Sequence, residues 1–175
     1  LKLARQAQLF YLDDTGTTVP VDKDDAAVTI PNLFSKELTH DFNGYTAHYK
    51  ITVNEAKLVL TNGSPLHIHD VMTETLAYIS GSLVITTENV NGHTSVLQQG
   101  VDYTVTYDGT GGQTDSAGKK VHVLDIVILK PQPVMYILDY DATLIIPQEI
   151  TGAIKYSNSA SITLWGKTIT DDTGK

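Results

Sequence analysis

The chain has 175 residues, with twelve basic and twenty acidic side chains and a formal net charge of −8 at pH 7. This length suits one main domain with a sizeable core, and an acidic chain without a basic cluster argues against nucleic-acid binding. The sequence has no cysteine, which excludes disulfides, thiolate catalysis and cysteine-ligated zinc. No apolar run approaches the length of a membrane span.

The first 31 residues carry the weakest pattern. Residues 8–12 and 26–30 are predicted as short strands, with a turn at residues 13–16. We expect residues 1–31 to be an N-terminal extension or the end of a preceding domain, residues 32–168 to form the main domain, and residues 169–175 to be a linker.

From residue 33 onward, short extended stretches follow one another at regular spacing. The predicted strands span residues 33–38, 45–53, 57–60, 66–70, 75–79, 82–88, 95–98, 102–107, 121–129, 134–140, 142–146 and 156–165. Asn62-Gly63 is a hairpin signal, residues 108–119 are predicted as a loop, and Lys130-Pro-Gln-Pro133 interrupts the sheet. With no helical period, this pattern predicts an all-β antiparallel β-sandwich of about ten strands.

Three polar side chains occupy positions where period-two alternation places apolar residues. Lys36 lies in phase with Phe34 and Leu38, Asp70 with Leu66 and Ile68, and Asn158 with Ala160, Ile162 and Leu164. Burial of each group without a partner is costly. We therefore expect an amine, a carboxyl group and a carboxamide to converge on one interior.

Five phrases in the sequence resemble the isopeptide-forming domains of Gram-positive surface adhesins and pilins, of the collagen-adhesin A type. They are Phe34-Ser-Lys36, Tyr49-Lys-Ile-Thr-Val-Asn54, Ile68-His-Asp70 followed by Thr75-Leu76, Tyr78-Ile-Ser-Gly-Ser82, and Tyr156-Ser-Asn158-Ser-Ala160. The resemblance covers residues 33–165 in the order that the family has them. It implies an immunoglobulin-like (DEv-IgG-like) sandwich.

The resemblance also implies a covalent cross-link. In that family a lysine on the first strand is joined to an asparagine on the last strand with the help of a buried acid, which by position would be Lys36, Asn158 and Asp70. The step from Asp70 to Thr75-Leu76 is longer than in relatives, which leaves Glu74 as an alternative acid.

These residue types have the chemistry for such a bond. A lysine taken out of water has a lowered pKa and becomes a nucleophile, whereas a buried carboxyl group stays protonated and polarises the amide. The Lys36 amine would attack the Asn158 carbonyl carbon, and ammonia would leave. Because this happens once, we expect self-modification and not an enzyme.

Other chemical interpretations have weaker support in the sequence. His67 and His69 share a strand face, and a metal-dependent enzyme is a third hypothesis, but zinc needs a third ligand and the other histidines offer no diagnostic spacing. We therefore predict no metal site and no cofactor. The glycines at residues 109–112 lack the lysine of a phosphate loop, and Trp165 is predicted to anchor the core or a strand end.

The resemblance thus implies a structural or adhesive module of a bacterial cell-surface adhesin or pilin. We expect it to be extracellular and attached to the cell wall, with neighbouring domains of the same surface protein as partners. The alternative is a receptor-binding domain that grips a host extracellular-matrix protein such as collagen.

Overall fold

The computed structural model describes residues 2–12, 18–29, 33–146 and 152–174, with side chains described for residues 33–39, 44–146 and 152–171. The chain forms two compact units, Leu1–Pro31 and Asn32–Lys175. In the first unit, β1 (Lys2–Leu12) pairs antiparallel with β2 (Thr18–Thr29). These strands include the stretch predicted at residues 8–12 and residues 26–29 of the stretch predicted at 26–30, whereas residue 30 and the turn predicted at 13–16 lie outside the described residues.

The second unit consists of two antiparallel sheets. Its strands are β3 (Phe34–Asn43), β4 (Thr46–Val53), β5 (Leu66–Thr73), β6 (Leu76–Tyr78), β7 (Val84–Glu88), β8 (Thr94–Val96), β9 (Tyr103–Thr114), β10 (Lys120–Ile128), β11 (Met135–Leu144), β12 (Ser157–Leu164) and β13 (Lys167–Gly174). One sheet has the order β13-β12-β5-β10-β9, and the other has β3-β4-β11-β7-β8 with β6 also paired to β11. The predicted all-β antiparallel sandwich is confirmed, with eleven strands.

The core lies between the inner faces of these two sheets and follows the predicted alternation. In β4 the side chains of Ala47, Tyr49, Ile51 and Val53 are buried, whereas the residues between them are partly or fully exposed. β5 and β12 show the same period of two. Because alternate side chains of a strand point to opposite faces of its sheet, every polar residue in the buried phase must enter this core.

The hairpin predicted around Asn62-Gly63 is wrong. Asn54 and Lys57 have φ angles of 63° and 54°, so the chain turns as soon as β4 ends. The Asn54 side chain then closes the loop, donating to the carbonyl oxygens of Leu58 at 2.8 Å and Val134 at 2.9 Å. Asparagine tolerates the left-handed region better than most residues. Residues 57–60 form no strand, and the Asn54 side chain holds this segment in place.

The long loop predicted at residues 108–119 is also wrong. β9 continues to Thr114 and β10 begins at Lys120, which leaves a short turn between them. Asp115 shapes that turn, because its Oδ1 accepts hydrogen bonds from the backbone nitrogens of Ala117 at 2.8 Å and Lys119 at 2.9 Å. Such side-chain bonds to the nearby backbone are typical of aspartate in turns.

The linker predicted at residues 169–175 overlaps a strand. β13 runs from Lys167 to Gly174 and pairs with β12 along its length, so β12 is the penultimate strand. Trp165 and Gly166 form the two-residue connection with φ angles of 51° and 72°, as in hairpin turns of the type that needs positive φ at both positions. Trp165 is 50% exposed and does not anchor the core.

Within the described residues, the structure contains no helix with the length and apolar character that a bilayer crossing requires.

Candidate functional site

The candidate site draws on four strands from both sheets. Lys36 on β3 and Tyr140 on β11 come from the six-stranded sheet, and Asp70 on β5 and Asn158 on β12 come from the five-stranded sheet. In the β5–β12 ladder Asp70 pairs with Ala160 and Asn158 pairs with Met72. Asp70 and Asn158 are therefore diagonal neighbours on the same sheet face, close enough for both side chains to contact the same group.

One tyrosine hydroxyl connects the three residues that the sequence singled out. Lys36 Nζ forms an ion pair with Asp70 Oδ2 and donates to the Tyr140 hydroxyl oxygen at 2.8 Å. The Tyr140 hydroxyl donates to Asp70 Oδ2 at 2.6 Å, and Asn158 Nδ2 donates to the Tyr140 oxygen at 2.8 Å. The amine, the carboxyl group and the carboxamide thus belong to one hydrogen-bonded cluster.

The cluster is shielded from solvent, and its titratable groups respond to that. Asp70 and Asn158 are fully buried and Lys36 is 5% exposed. Burial lowers the pKa of Lys36 below that of an exposed lysine, and the nearby Asp70 charge only partly opposes this. Burial and then the Asp70 charge raise the pKa of Tyr140 well above its ordinary value. Both directions favour uncharged side chains in the site.

Aromatic rings form the walls of the site. Lys36 Nζ lies 5.3 Å from the centroid of the Tyr49 ring and 5.5 Å from that of Tyr140. The two rings stack with their centroids 5.6 Å apart, and Tyr78 meets Tyr140 edge-on at 6.1 Å. These rings exclude water and fix the Tyr140 side chain, so the polar atoms interact in a medium of low dielectric constant.

One oxygen of the buried acid is unused within the network. Asp70 Oδ2 takes both of the contacts described above, whereas Oδ1 is buried and has no hydrogen-bond partner among the described residues. A buried carboxylate oxygen without a partner is costly. An unpaired polar atom in a native core is typical of a strained or chemically active site.

Sequence reasoning missed two members of the site. Tyr140 alternates with Tyr136 and Leu138 on β11 like any core residue, so nothing in its spacing signals that it contacts Lys36. Asp171 lies in the stretch predicted as a linker, yet its Oδ2 accepts a hydrogen bond from the Lys36 backbone nitrogen at 2.8 Å. Both contacts depend on which strands lie next to each other in the fold. The alternation of apolar and polar residues along a single strand does not reveal that.

The remaining sequence candidates lie elsewhere. Glu74 is exposed in the turn between β5 and β6, so Asp70 is the acid next to Lys36. His67 and His69 point away from the core, and His69 Nδ1 lies 2.6 Å from Asp125 Oδ1 at the half-exposed sheet surface. The described residues contain no group of three or more His, Asp or Glu side chains that could hold a metal ion.

This chain is similar to known proteins in its three-dimensional structure. No protein-family model matches the chain, and no curated protein matches its sequence. The collagen-binding domain of Erysipelothrix rhusiopathiae surface protein RspB aligns with a TM-score of 0.59 and 19% identity, over 98% of this chain and 55% of that one. This chain therefore spans about half of that structure's length.

Two further structures are similar. The collagen-binding domain of a Staphylococcus aureus adhesin aligns with a TM-score of 0.54 and 11% identity, over 84% of this chain and all of that one. The Enterococcus faecalis MSCRAMM ACE aligns with a TM-score of 0.54 and 14% identity, over 99% of this chain and 59% of that one. At these identities the likeness establishes fold, and it confirms that this chain has the β-sandwich fold of Gram-positive surface adhesin domains.

Proposed function

We propose that this chain is a structural or adhesive module of a bacterial cell-surface protein, and that it stabilises itself by an isopeptide bond between Lys36 and Asn158 with Asp70 as the assisting acid. One observation carries the proposal. A buried amine, carboxyl group and carboxamide, joined through the Tyr140 hydroxyl, lie together between the two sheets. Each of these groups is costly to bury alone, and together they have the composition of an amide-forming site.

The first step is formation of the neutral nucleophile. Burial lowers the pKa of Lys36, because desolvation disfavours the ammonium. Transfer of one proton from Lys36 to the Asp70 carboxylate in direct contact with it removes both charges from the apolar interior. The product is an amine next to a carboxylic acid.

The second step forms the bond. The Lys36 nitrogen attacks the Asn158 side-chain carbonyl carbon. The Asp70 acid turns about its Cβ–Cγ bond so that its protonated oxygen takes the place of Oδ1, which has no partner, and donates a hydrogen bond to the carbonyl oxygen. Nζ then loses a proton, the Asn158 nitrogen gains one, and the bond from Cγ to Nδ2 breaks. Ammonia leaves, and a secondary amide joins the two side chains.

Folding accelerates this reaction because it holds the reacting groups close together. Amide formation between an amine and a carboxamide is slow in water, but groups held near contact react as if at very high concentration, worth on the order of 10 kcal/mol at best. Because the lysine and the asparagine are consumed, each chain reacts once. The site modifies its own chain and does not turn over a substrate.

The proposed setting of the module is supported by the proteins whose structures resemble it. The similar structures are domains of bacterial surface proteins, which supports an extracellular, cell-wall-attached protein whose partners include neighbouring domains of the same chain. The sequence has no cysteine, so an isopeptide bond would be a covalent tie that does not depend on oxidation.

Intact-mass measurement tests the cross-link. The purified wild-type chain should be lighter than its sequence by one molecule of ammonia, and Lys36→Ala should show no deficit. Lys50→Ala is the matched control, because Lys50 lies on the neighbouring strand but pairs with Glu37 at the surface, so it should keep the deficit. A folded wild-type chain with its full sequence mass would rule out the proposal.

Binding to host matrix is a second candidate function. The observation that favours it is that similar structures are named as collagen-binding domains. Solid-phase binding of the purified chain to collagen and to other matrix proteins tests it. Saturable binding would support a receptor-binding domain, and no binding to any of them would leave the structural role.

A further inference from the structure

The Tyr140 hydroxyl has no role in a scheme of lysine, acid and asparagine alone. We propose that Tyr140 is a catalytic residue of the cross-linking reaction, whose hydroxyl passes a proton from the attacking Lys36 nitrogen to the departing Asn158 nitrogen. This inference rests on the proposed isopeptide bond and assigns a further residue to it.

The geometry places the hydroxyl against both nitrogen atoms whose bonds change. A tyrosine hydroxyl has one hydrogen to donate and lone pairs to accept with. Tyr140 donates to Asp70 Oδ2 at 2.6 Å, and it accepts from Lys36 Nζ and from Asn158 Nδ2, each at 2.8 Å. The hydroxyl oxygen is therefore a bridge of two hydrogen bonds between nucleophile and leaving group.

The reaction requires a proton to travel along this bridge. When the Nζ–Cγ bond forms, Nζ carries a proton that the amide product must lose, and Nδ2 needs a proton to leave as ammonia. The hydroxyl accepts the proton from Nζ while its own hydrogen moves to Nδ2. The phenol is regenerated, and no further reactant is needed.

The direction of one hydrogen bond changes during this step. In the planar amide, the Nδ2 lone pair is delocalised, so Nδ2 only donates, as it does toward Tyr140. After attack on Cγ that delocalisation is lost, and Nδ2 gains a basic lone pair that accepts. By then the proton from Lys36 has neutralised Asp70, so the oxygen that faces Tyr140 accepts more weakly than a carboxylate oxygen does, and the Tyr140 hydrogen turns to Nδ2.

The surroundings keep Tyr140 suited to this task. Burial and Asp70 raise its pKa, so the residue stays a neutral phenol, and a neutral carrier avoids an isolated charge in the core. Its ring is stacked on Tyr49 at 5.6 Å and met edge-on by Tyr78 at 6.1 Å. The hydroxyl is thus held in place by packing that does not involve the hydroxyl itself.

The test uses Tyr140→Phe, which keeps the ring and removes only the hydroxyl. Tyr136→Phe is the matched control, because Tyr136 is buried on the same strand face and its hydroxyl bonds only to the backbone of Gln132 among its described contacts. Each chain is made by cell-free synthesis. Intact mass is then measured at successive times after the chain leaves the ribosome, which gives the rate of ammonia loss. We expect Tyr140→Phe to react at least tenfold more slowly, and Tyr136→Phe to react at the wild-type rate.

A rescue experiment separates chemistry from packing. Tyr140→Ala leaves a cavity that a small aromatic molecule can fill, so phenol should restore ammonia loss and benzene should not. Restoration by benzene as well as phenol would overturn the inference, as would wild-type kinetics in a Tyr140→Phe chain shown to be folded by circular dichroism. A wild-type chain that never loses ammonia overturns the proposed bond itself, and with it the role of Tyr140.

Discussion

At the scale of single residues, burial distinguishes the two acids that the sequence offered. Asp70 is fully buried in contact with Lys36, whereas Glu74 is exposed in a turn. Only Asp70 of the two is in contact with the Lys36 amine. The proposed reaction therefore uses Asp70, and not Glu74, as the assisting acid.

We expect Asp70→Asn to abolish ammonia loss, because its side chain cannot receive the Lys36 proton. Made in the Asn158→Ala chain, where the bond cannot form, the same change leaves a buried amine without its ion-pair partner, and breaking a buried ion pair costs roughly 3–5 kcal/mol. Intact mass and denaturant unfolding measure the two effects. Glu74→Gln is the control and should change neither, so a cross-link that survives Asp70→Asn but is lost in Glu74→Gln would reverse the assignment.

The lowered pKa of Lys36 predicts how stability depends on pH in a chain that cannot react, such as Asn158→Ala. The folded-state pKa lies below the 10.5 of an exposed lysine. Below the lowered value both states hold the ammonium, and the folded state bears its full desolvation cost. As pH rises from that value toward 10.5 the folded chain holds the neutral amine while the unfolded chain is still protonated, so the free energy of unfolding increases.

Urea unfolding of Asn158→Ala at several pH values measures this dependence. The double variant Asn158→Ala, Lys36→Met is the control and should lack the increase, since methionine does not titrate. Equal pH dependence in the two chains would mean that Lys36 keeps an ordinary pKa in the fold.

At the scale of elements, the β12–β13 turn carries an identifiable strain. Trp165 has a φ angle of 51° and is 50% exposed, and bulky side chains are rare at positive φ. Asparagine and glycine suit this type of two-residue hairpin turn.

We therefore expect Trp165→Asn to raise the free energy of unfolding by about 0.5–1 kcal/mol, on the scale of turn substitutions that fit the backbone. Gly166→Ala should act in the opposite direction, because Gly166 has a φ angle of 72°. Chemical denaturation of both variants measures whether the free energy of unfolding rises in the first and falls in the second. A loss of stability in Trp165→Asn would show that the indole makes contacts that outweigh the strain.

The same elements show what the sequence could and could not predict. Period-two alternation predicted the buried phase of β5 and β12, because each strand has one face in the core. It failed where pairing with another segment decides the structure. Asn54 closes its loop through Val134, 80 positions away, and β13 is a strand because it pairs with β12, although its sequence has the composition of a linker. Tyr140 was missed for the same reason, because its partners come from three other strands.

At the scale of the whole sandwich, the proposed bond changes how the domain bears load. Lys36 lies on β3, at the edge of the six-stranded sheet, and Asn158 lies on β12 in the opposite sheet. An amide between them would join the two sheets covalently near the first and the penultimate strand of the unit. A pulling force that enters at one end would then pass through the bond, and the strands between would carry little of it.

Single-molecule stretching tests this load path. The bond would remove about 120 residues from the extensible chain, which at roughly 3.4 Å per residue is about 400 Å of contour length. We expect Asn158→Ala to unfold with that additional extension and the wild-type chain to lack it, because the segment from 36 to 158 is closed into a loop. Asp70→Asn should behave like Asn158→Ala, since the bond would not form in either. If the wild-type chain extends as far as these variants, the sheets are held together only by packing and hydrogen bonds, and the domain would yield to shear as an ordinary sandwich does.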